Sequence, residues 1–227
     1  NRNESLMSVV IRYASLFTPD DKLVKQSELI DERYVYKRCP AFTHKHDRTF
    51  VGMSPIDFNL RVGRKDGQST IYCNQPELLE YDEEHIFSPQ PVIQLRFPKF
   101  LFWTHEDDVW FEFNDHPMTS YNNNFIAVPG WFNLSNWSRA MSLAITIVDE
   151  TKPVKIKKGD PLFRVSFYSP NLDSDIIMKQ EMNEDKITEM VDAYNQKKVV
   201  DHEEKSWRKK LFAKTGMNKC PFSFLYK

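Results

Sequence analysis

Short alternating stretches dominate the first three quarters of the chain. Ile56, Phe58, Leu60 and Val62 alternate with Asp57, Asn59 and Arg61. That period of two sends one side-chain set into a core and the other to solvent, which predicts a half-buried strand. Val92 to Arg96 alternates in the same way, and in Val109 to Phe113 the residues Trp110 and Glu112 oppose Phe111 and Phe113. Further strands are expected after Thr49, over Ser69 to Cys73, Phe100 to Thr104, Phe125 to Val128, Trp131 to Leu134 and Met141 to Val148. Val154 with Ile156, and Leu162 to Phe167, complete the series. Turn chemistry separates them: Ser54-Pro55, Lys65-Asp66-Gly67, the hairpin-length His105 to Asp108, Pro129-Gly130 and Lys157 to Asp160. Strands spaced roughly 8–12 residues apart predict a sandwich, jelly roll or barrel-like sheet pair. Met7 to Val10 fits strand or helix by pattern alone, and Tyr34-Val35-Tyr36 reads as a strand ended by Cys39-Pro40.

From residue 183 the period changes. Asn183 is a helix cap ahead of Glu184 and Asp185, and Ile187, Met190, Val191 and Tyr194 share one helical face. A second helix is expected from Asp201, with Trp207 and Leu211 on its apolar stripe, stopped at Gly216 and followed by an apolar tail from Pro221 to Tyr226. The expectation is therefore a mainly β fold with a C-terminal helical arm, α+β overall. A β-rich domain is placed at 1–170, and the arm and aromatic tail, packed on the same domain, at 171–227.

Composition adds limits. With 41% hydrophobic and 14% aromatic residues in 227, the chain can bury a core without disulfides. The 31 basic and 32 acidic residues are interspersed, so there is no basic face for counterion release, and nucleic acid is not an expected partner. Cys39, Cys73 and Cys220 are three, far apart and without a CxxC pair, which fits a reducing compartment and buried apolar thiols. No signal-peptide pattern opens the chain and no stretch is apolar enough to span a bilayer. A cytoplasmic location is expected, in a host cytoplasm or a virion if the chain is phage-encoded.

Leu101-Phe102-Trp103-Thr104, then Trp131 with Trp137-Ser138-Arg139, then Lys158-Gly159-Asp160-Pro161 form an ordered series. Over residues 39–168 this resembles a family of uncharacterised β-rich domains of bacteria and tailed phages. Its marks are an LFRT-like strand, a tryptophan segment and a GEP-like turn. Asp160 stands where that pattern has Glu, and His105 to Asp108 replaces a shorter glycine turn. The resemblance implies no activity. Ile156 to Phe167 is also similar to the β-clip of dUTPases and dCTP deaminases, with Ser138-Arg139-Ala140-Met141-Ser142 a distorted version of their phosphate loop. That likeness implies a nucleotide-binding alternative.

Two histidine patterns carry candidate chemistry. His44 and His46 on a strand would put both imidazoles on one face, as cupin-type proteins bind a divalent metal, although the same residues read equally as a polar loop. His105-Glu106-Asp107 matches part of the facial triad of non-haem iron enzymes, with His116 or His202 as the distal ligand, and equally a charged turn. No GxSxG, P-loop, GxGxxG or HExxH motif is present. The aromatics Phe100, Phe102, Trp103, Trp110, Phe111, Trp131, Phe132 and Trp137 exceed what one core face needs, so most are core and the surplus is available to a ligand or subunit interface. Trp131, Trp137 and Arg139 are the expected binding residues. A non-enzymatic binding or assembly module with a protein partner or homo-oligomeric contact is the leading expectation, with a metal-dependent enzyme as its rival.

Overall fold

A computed structural model describes residues 8–31, 33, 35–65, 68–80, 92–136 and 139–196, with backbone alone at 36, 64, 65, 68, 69, 118, 120, 121 and 139. The contacts divide the chain into two units, Asn1–Asn183 and Glu184–Lys227.

The first unit is mainly β. Its largest sheet has the order β14-β1-β7-β11-β9, from β14 (Asp175–Gln180), β1 (Ser8–Ser15), β7 (Val92–Trp103), β11 (Arg139–Ile147) and β9 (Phe125–Ala127), with β6 (Leu79–Glu80) also on β7. A second sheet runs β10-β8-β13-β3-β2, from β10 (Gly130–Asn133), β8 (Trp110–Asp115), β13 (Pro161–Tyr168), β3 (Thr49–Met53) and β2 (Leu23–Lys25). The third joins β12 (Val154–Ile156), β4 (Phe58–Lys65) and β5 (Gln68–Cys73).

Phenylalanines lock the first two sheets together. Phe102 of β7 lies 5.2 Å from the Phe111 ring of β8 and 6.0 Å from Phe167 of β13, and Phe100 lies 6.3 Å from Phe163. Phe58 of β4 ties in the third sheet, 5.0 Å from Phe97 of β7. These edge-on and tilted arrangements suit the ring quadrupole as well as apolar burial. One glycine is required by this packing. Gly52 pairs across β3 and β13 with Phe163, whose ring fills the space a Cβ would take.

The alternating stretches are strands at nearly every expected place, and β4 and β5 pair as a hairpin with Lys65 opposite Gln68. Val92 to Arg96 and Phe100 to Thr104, expected as two strands, form the single β7. The ladder with β11 passes from Ser142↔Lys99 to Leu143↔Leu95, so residues 96–98 bulge out of it. Pro98 lies within the bulge, where its missing N–H costs no ladder bond.

Three differences from expectation have local causes. His105 to Asp108 does not close a hairpin: β7 and β8 belong to different sheets, and Asp108 turns the chain at φ 54°. Val35 and Tyr36 are not in a strand, and Tyr34 lies outside the described residues. Val35–Arg38 is a 3-10 turn in which Val35 is 78% exposed, because no neighbouring strand offers its branched side chain a face. Cys39-Pro40 starts an element instead of ending one: Pro40 occupies the first turn of helix α1 (Pro40–Asp47), where its missing N–H is harmless. A short helix α2 (Pro117–Asn122) lies between β8 and β9.

Residues 171–183, expected in the helical arm, contain β14, which lies parallel to β1 with Val9 opposite Ile176. In the second unit, α3 covers residues 184–196. Ile187, Met190, Val191 and Tyr194 are its half-buried residues and all its others are exposed, which is the face read from the sequence. The expected second helix and the tail, with Trp207, Leu211 and Cys220, lie outside the described residues.

Candidate functional site

The outer face of the β10-β8-β13 strip is built by register. Ser166, Glu112 and Trp131 form one row across the three strands, and Tyr168, Trp110 and Asn133 form the next. The alternate residues Phe111, Phe113, Val165 and Phe167 point into the core, so these rows must face outward.

The rings on this face stack on one another. Trp131 is 54% exposed. Its ring lies 5.8 Å from Trp110 at an interplanar angle of 29° and 5.1 Å from Tyr168 at 36°. Hydrogen bonds fix the two lower rings. Trp110 Nε1 donates to Asp108 at 2.9 Å, and Tyr168 OH donates to Glu112 at 2.6 Å. Asn133 Nδ2 also donates to Asp108, at 3.2 Å. Asp108 and Glu112 thus hold the platform in place while keeping carboxylate oxygens beside it.

Burial pushes the Glu112 carboxyl up, but hydrogen bonds from Tyr168 and Asn114, with the charges of Lys45 and Arg164, outweigh it and hold the group below its usual value. Tyr168 shows the complementary effect. Burial first, then the hydrogen bond and charge of Glu112, push its phenol up to about 12. A phenol that binds its proton more tightly when folded stabilises the fold fully below the ordinary tyrosine value of about 10, and loses that contribution as pH rises through its own value. In a tyrosine titration by ultraviolet absorbance, Tyr168 is therefore expected to ionise after the exposed tyrosines, near pH 12. Glu112→Gln should move it down while burial keeps it above an exposed tyrosine. Ionisation of Tyr168 with the exposed tyrosines would show that the Glu112 bond is absent in solution.

Beyond Arg164, the strip meets a cleft of about 750 Å³ lined by residues that include Gln26, Leu29, Phe42, His46, Met53 and His116. Gln26 Oε1 and His46 Nδ1 are buried without a hydrogen-bond partner among the described residues. Burial first and the nearby Arg164 second push both His46 and His116 below the ordinary histidine value, so the cleft presents neutral imidazoles at neutral pH.

The expected site residues are distributed as follows. Trp131 lies on the exposed platform. Trp137 is outside the described residues. Arg139 opens β11 in the other large sheet, opposite Phe102, and its side chain is not described. Trp110 and Tyr168, the ring partners of Trp131, were not singled out as a group with it. Cross-strand alternation marks Trp110 as outward, but nothing in the chain order shows that β13 lies beside β8.

His44 and His46 stand on α1, not on a strand. Two residues apart on a helix point roughly 200° apart. His44 Nε2 accordingly lies 2.7 Å from the Leu172 carbonyl, while the His46 ring packs 3.9 Å from Phe42. Among the described residues no three His, Cys, Asp or Glu side chains cluster as a metal site would require. His105-Glu106-Asp107 forms an exposed connection, and His202 is outside the described residues. Cys39 and Cys73 are free thiols.

No protein-family model matches this chain, and no curated protein matches it. Solved structures with some likeness are dUTPases. The native EIAV dUTPase has a TM-score of 0.36 and 8% identity over 77% of this chain and 97% of its own. The dUTPase of Staphylococcus bacteriophage 80alpha has a TM-score of 0.35 and 10% identity over 76% and 96%. A mutant dUTPase from phage phi11 of S. aureus, described with a structural Mg(II) ion, has a TM-score of 0.33 and 9% identity over 71% and 96%. At these values the likeness assigns this chain neither a family nor a chemistry. No helix among the described residues is long and apolar enough to cross a membrane.

Proposed function

We propose that the β-rich unit is a binding module that recognises a protein partner through the outer face of β10, β8 and β13. The observation that carries this reading is the three-ring stack headed by Trp131, more than half exposed at 54% and seated on Trp110 and Tyr168. An isolated exposed tryptophan is unremarkable, but one held rigid on two hydrogen-bonded rings loses little side-chain entropy on binding. Tryptophan and tyrosine are also the side chains that most often carry binding energy at protein interfaces.

The test places a photo-crosslinking residue at Asn133, beside Trp131 on the same face, in cells that produce the protein. A discrete adduct is expected, reduced about tenfold by Trp131→Ala, which is the size of a modest interface anchor at about 1.4 kcal/mol. The melting temperature should fall by only a few degrees, because more than half of the Trp131 surface is already exposed. An adduct indifferent to Trp131→Ala would sink the reading, and an adduct of twice the chain mass would identify the partner as a second copy.

A further inference from the structure

Resting on that reading, we infer that the Trp131 platform takes a cationic side chain, and that its occupant is a basic segment of a partner protein. Three observations converge on this chemistry.

The first is the ring geometry. Trp131 is more than half exposed, and the rings it stacks against, Trp110 and Tyr168, are each tied by their polar atom to a carboxylate, Asp108 and Glu112. Those two bonds fix the lower rings, so the part of the Trp131 indole that stays exposed is held in place, and a guanidinium or ammonium over an indole face is attracted by the ring quadrupole.

The second is the placement of the acids. Glu112 is paired with Trp131 directly across the strands, a separation of roughly 5 Å between Cβ atoms. Asp108 reaches the same rows through Trp110 and Asn133. A planar guanidinium can stack on the indole and turn its fork to a carboxylate at the ring edge.

The third is the charge of the whole stretch. Residues 101–138 include Glu106, Asp107, Asp108, Glu112 and Asp115 and contain no lysine or arginine. In a chain whose net charge is only -1, that is a strongly one-sided segment, and it carries Trp110 and Trp131. The cations that face Glu112, Lys45 on α1 and Arg164 on β13, belong to the other end of the strip. Arg164 stands opposite Asn114 and donates through Nε to the Asp115 carbonyl at 2.9 Å. They offset part of the Glu112 charge and leave the Asp108 end acidic.

The experiment uses the full chain with ¹⁵N-labelled tryptophan and three capped pentapeptides of alternating glycine, carrying two arginines, two citrullines or two glutamates. Citrulline keeps the shape of arginine and removes its charge. The arginine peptide is expected to shift the Trp131 and Trp110 indole signals with millimolar affinity, and the citrulline peptide to bind about five- to tenfold more weakly. The glutamate peptide should not bind. Trp131→Ala should abolish the shifts. Glu112→Gln, which retains an acceptor for Tyr168, should weaken the arginine peptide a few-fold without changing the citrulline peptide. Equal binding of the arginine and citrulline peptides, or no shift with arginine up to about 10 mM, overturns the cationic assignment. The Asn133 crosslink separates this failure from that of the broader reading. If the crosslink still depends on Trp131, the face binds a partner by other chemistry; if it does not, both fall.

Discussion

Phe102→Ala is expected to lower the free energy of unfolding by about 3–5 kcal/mol, the cost of truncating a fully buried phenylalanine in a core that cannot close the gap. Phe102 has no exposed surface. Its ring neighbours come from four strands: Tyr13 at 6.4 Å on β1, Phe100 at 6.1 Å on its own strand, Phe111 at 5.2 Å on β8 and Phe167 at 6.0 Å on β13. Because these neighbours are anchored in two hydrogen-bonded sheets, they cannot collapse independently into the cavity. Urea denaturation of the full chain measures the effect, and the melting temperature should fall by on the order of 10 °C. Phe102→Leu keeps most of the volume and should recover roughly half of the loss. A change below about 1 kcal/mol for the alanine variant would mean that the two sheets are not clamped at this ring.

The strands were legible because alternation is a local property. Phe111 and Phe113 point inward and Trp110 and Glu112 outward in the structure just as their order along the chain requires. Apart from the β4–β5 hairpin, which strand meets which was not legible. His105 to Asp108, Pro129-Gly130 and Lys157 to Asp160 all carry turn chemistry, yet each carries the chain from one sheet to another. A polar turn satisfies the same backbone rules whether the next strand pairs with the last one or crosses over it. Nor does alternation announce a parallel partner across the length of the chain, so β14 was missed although Ile176 and Met178 are spaced as its inward face demands.

The same limit explains the site. A turn before Trp131 and polar residues after it mark it as a surface ring, and it is exposed. The sequence offers Trp137 and Arg139 as its companions, because chain order shows only neighbours along the chain. The ring partners come instead from strands 21 residues before it, at Trp110, and 37 after it, at Tyr168, and are brought together by the β10-β8-β13 order. For His44 and His46 the error lay in the element. An HxH pattern converges on a strand and diverges on a helix, and Pro40 at the first turn is the signal that should have decided between them.

Arg48→Ala is expected to cost about 2–4 kcal/mol and to loosen β14 ahead of the rest of the unit, because a charged hydrogen bond to a buried acceptor is worth about 1.5–3 kcal/mol. Arg48 follows α1 and is only 6% exposed. Its Nη2 donates to the carbonyl oxygens of both Leu172 and Ser174, in the turn that leads into β14. Its own carbonyl accepts from Phe167 N at 3.2 Å, so the residue joins β13 to that turn. Burial pulls the guanidinium down and the carboxylates of Asp175 and Asp173 push it up, which keeps it charged in place. Nη1 is buried without a partner among the described residues, and that desolvation holds the net value to the lower part of the range. Among the described residues β14 pairs with β1 and with no other strand, and its far end is held by Gln180 and Glu181, so freeing the turn loosens the Asp175 end first. Amide hydrogen exchange should show Ile176 and Met178 losing protection in Arg48→Ala while Phe111 and Phe167 keep theirs until global unfolding. Arg48→Lys should lose less, because a single nitrogen makes both bonds and an ammonium can replace it. Uniform loss of protection across both sheets would show that Arg48 supports the whole core and not the β14 turn, and no loss at all would remove it as an anchor.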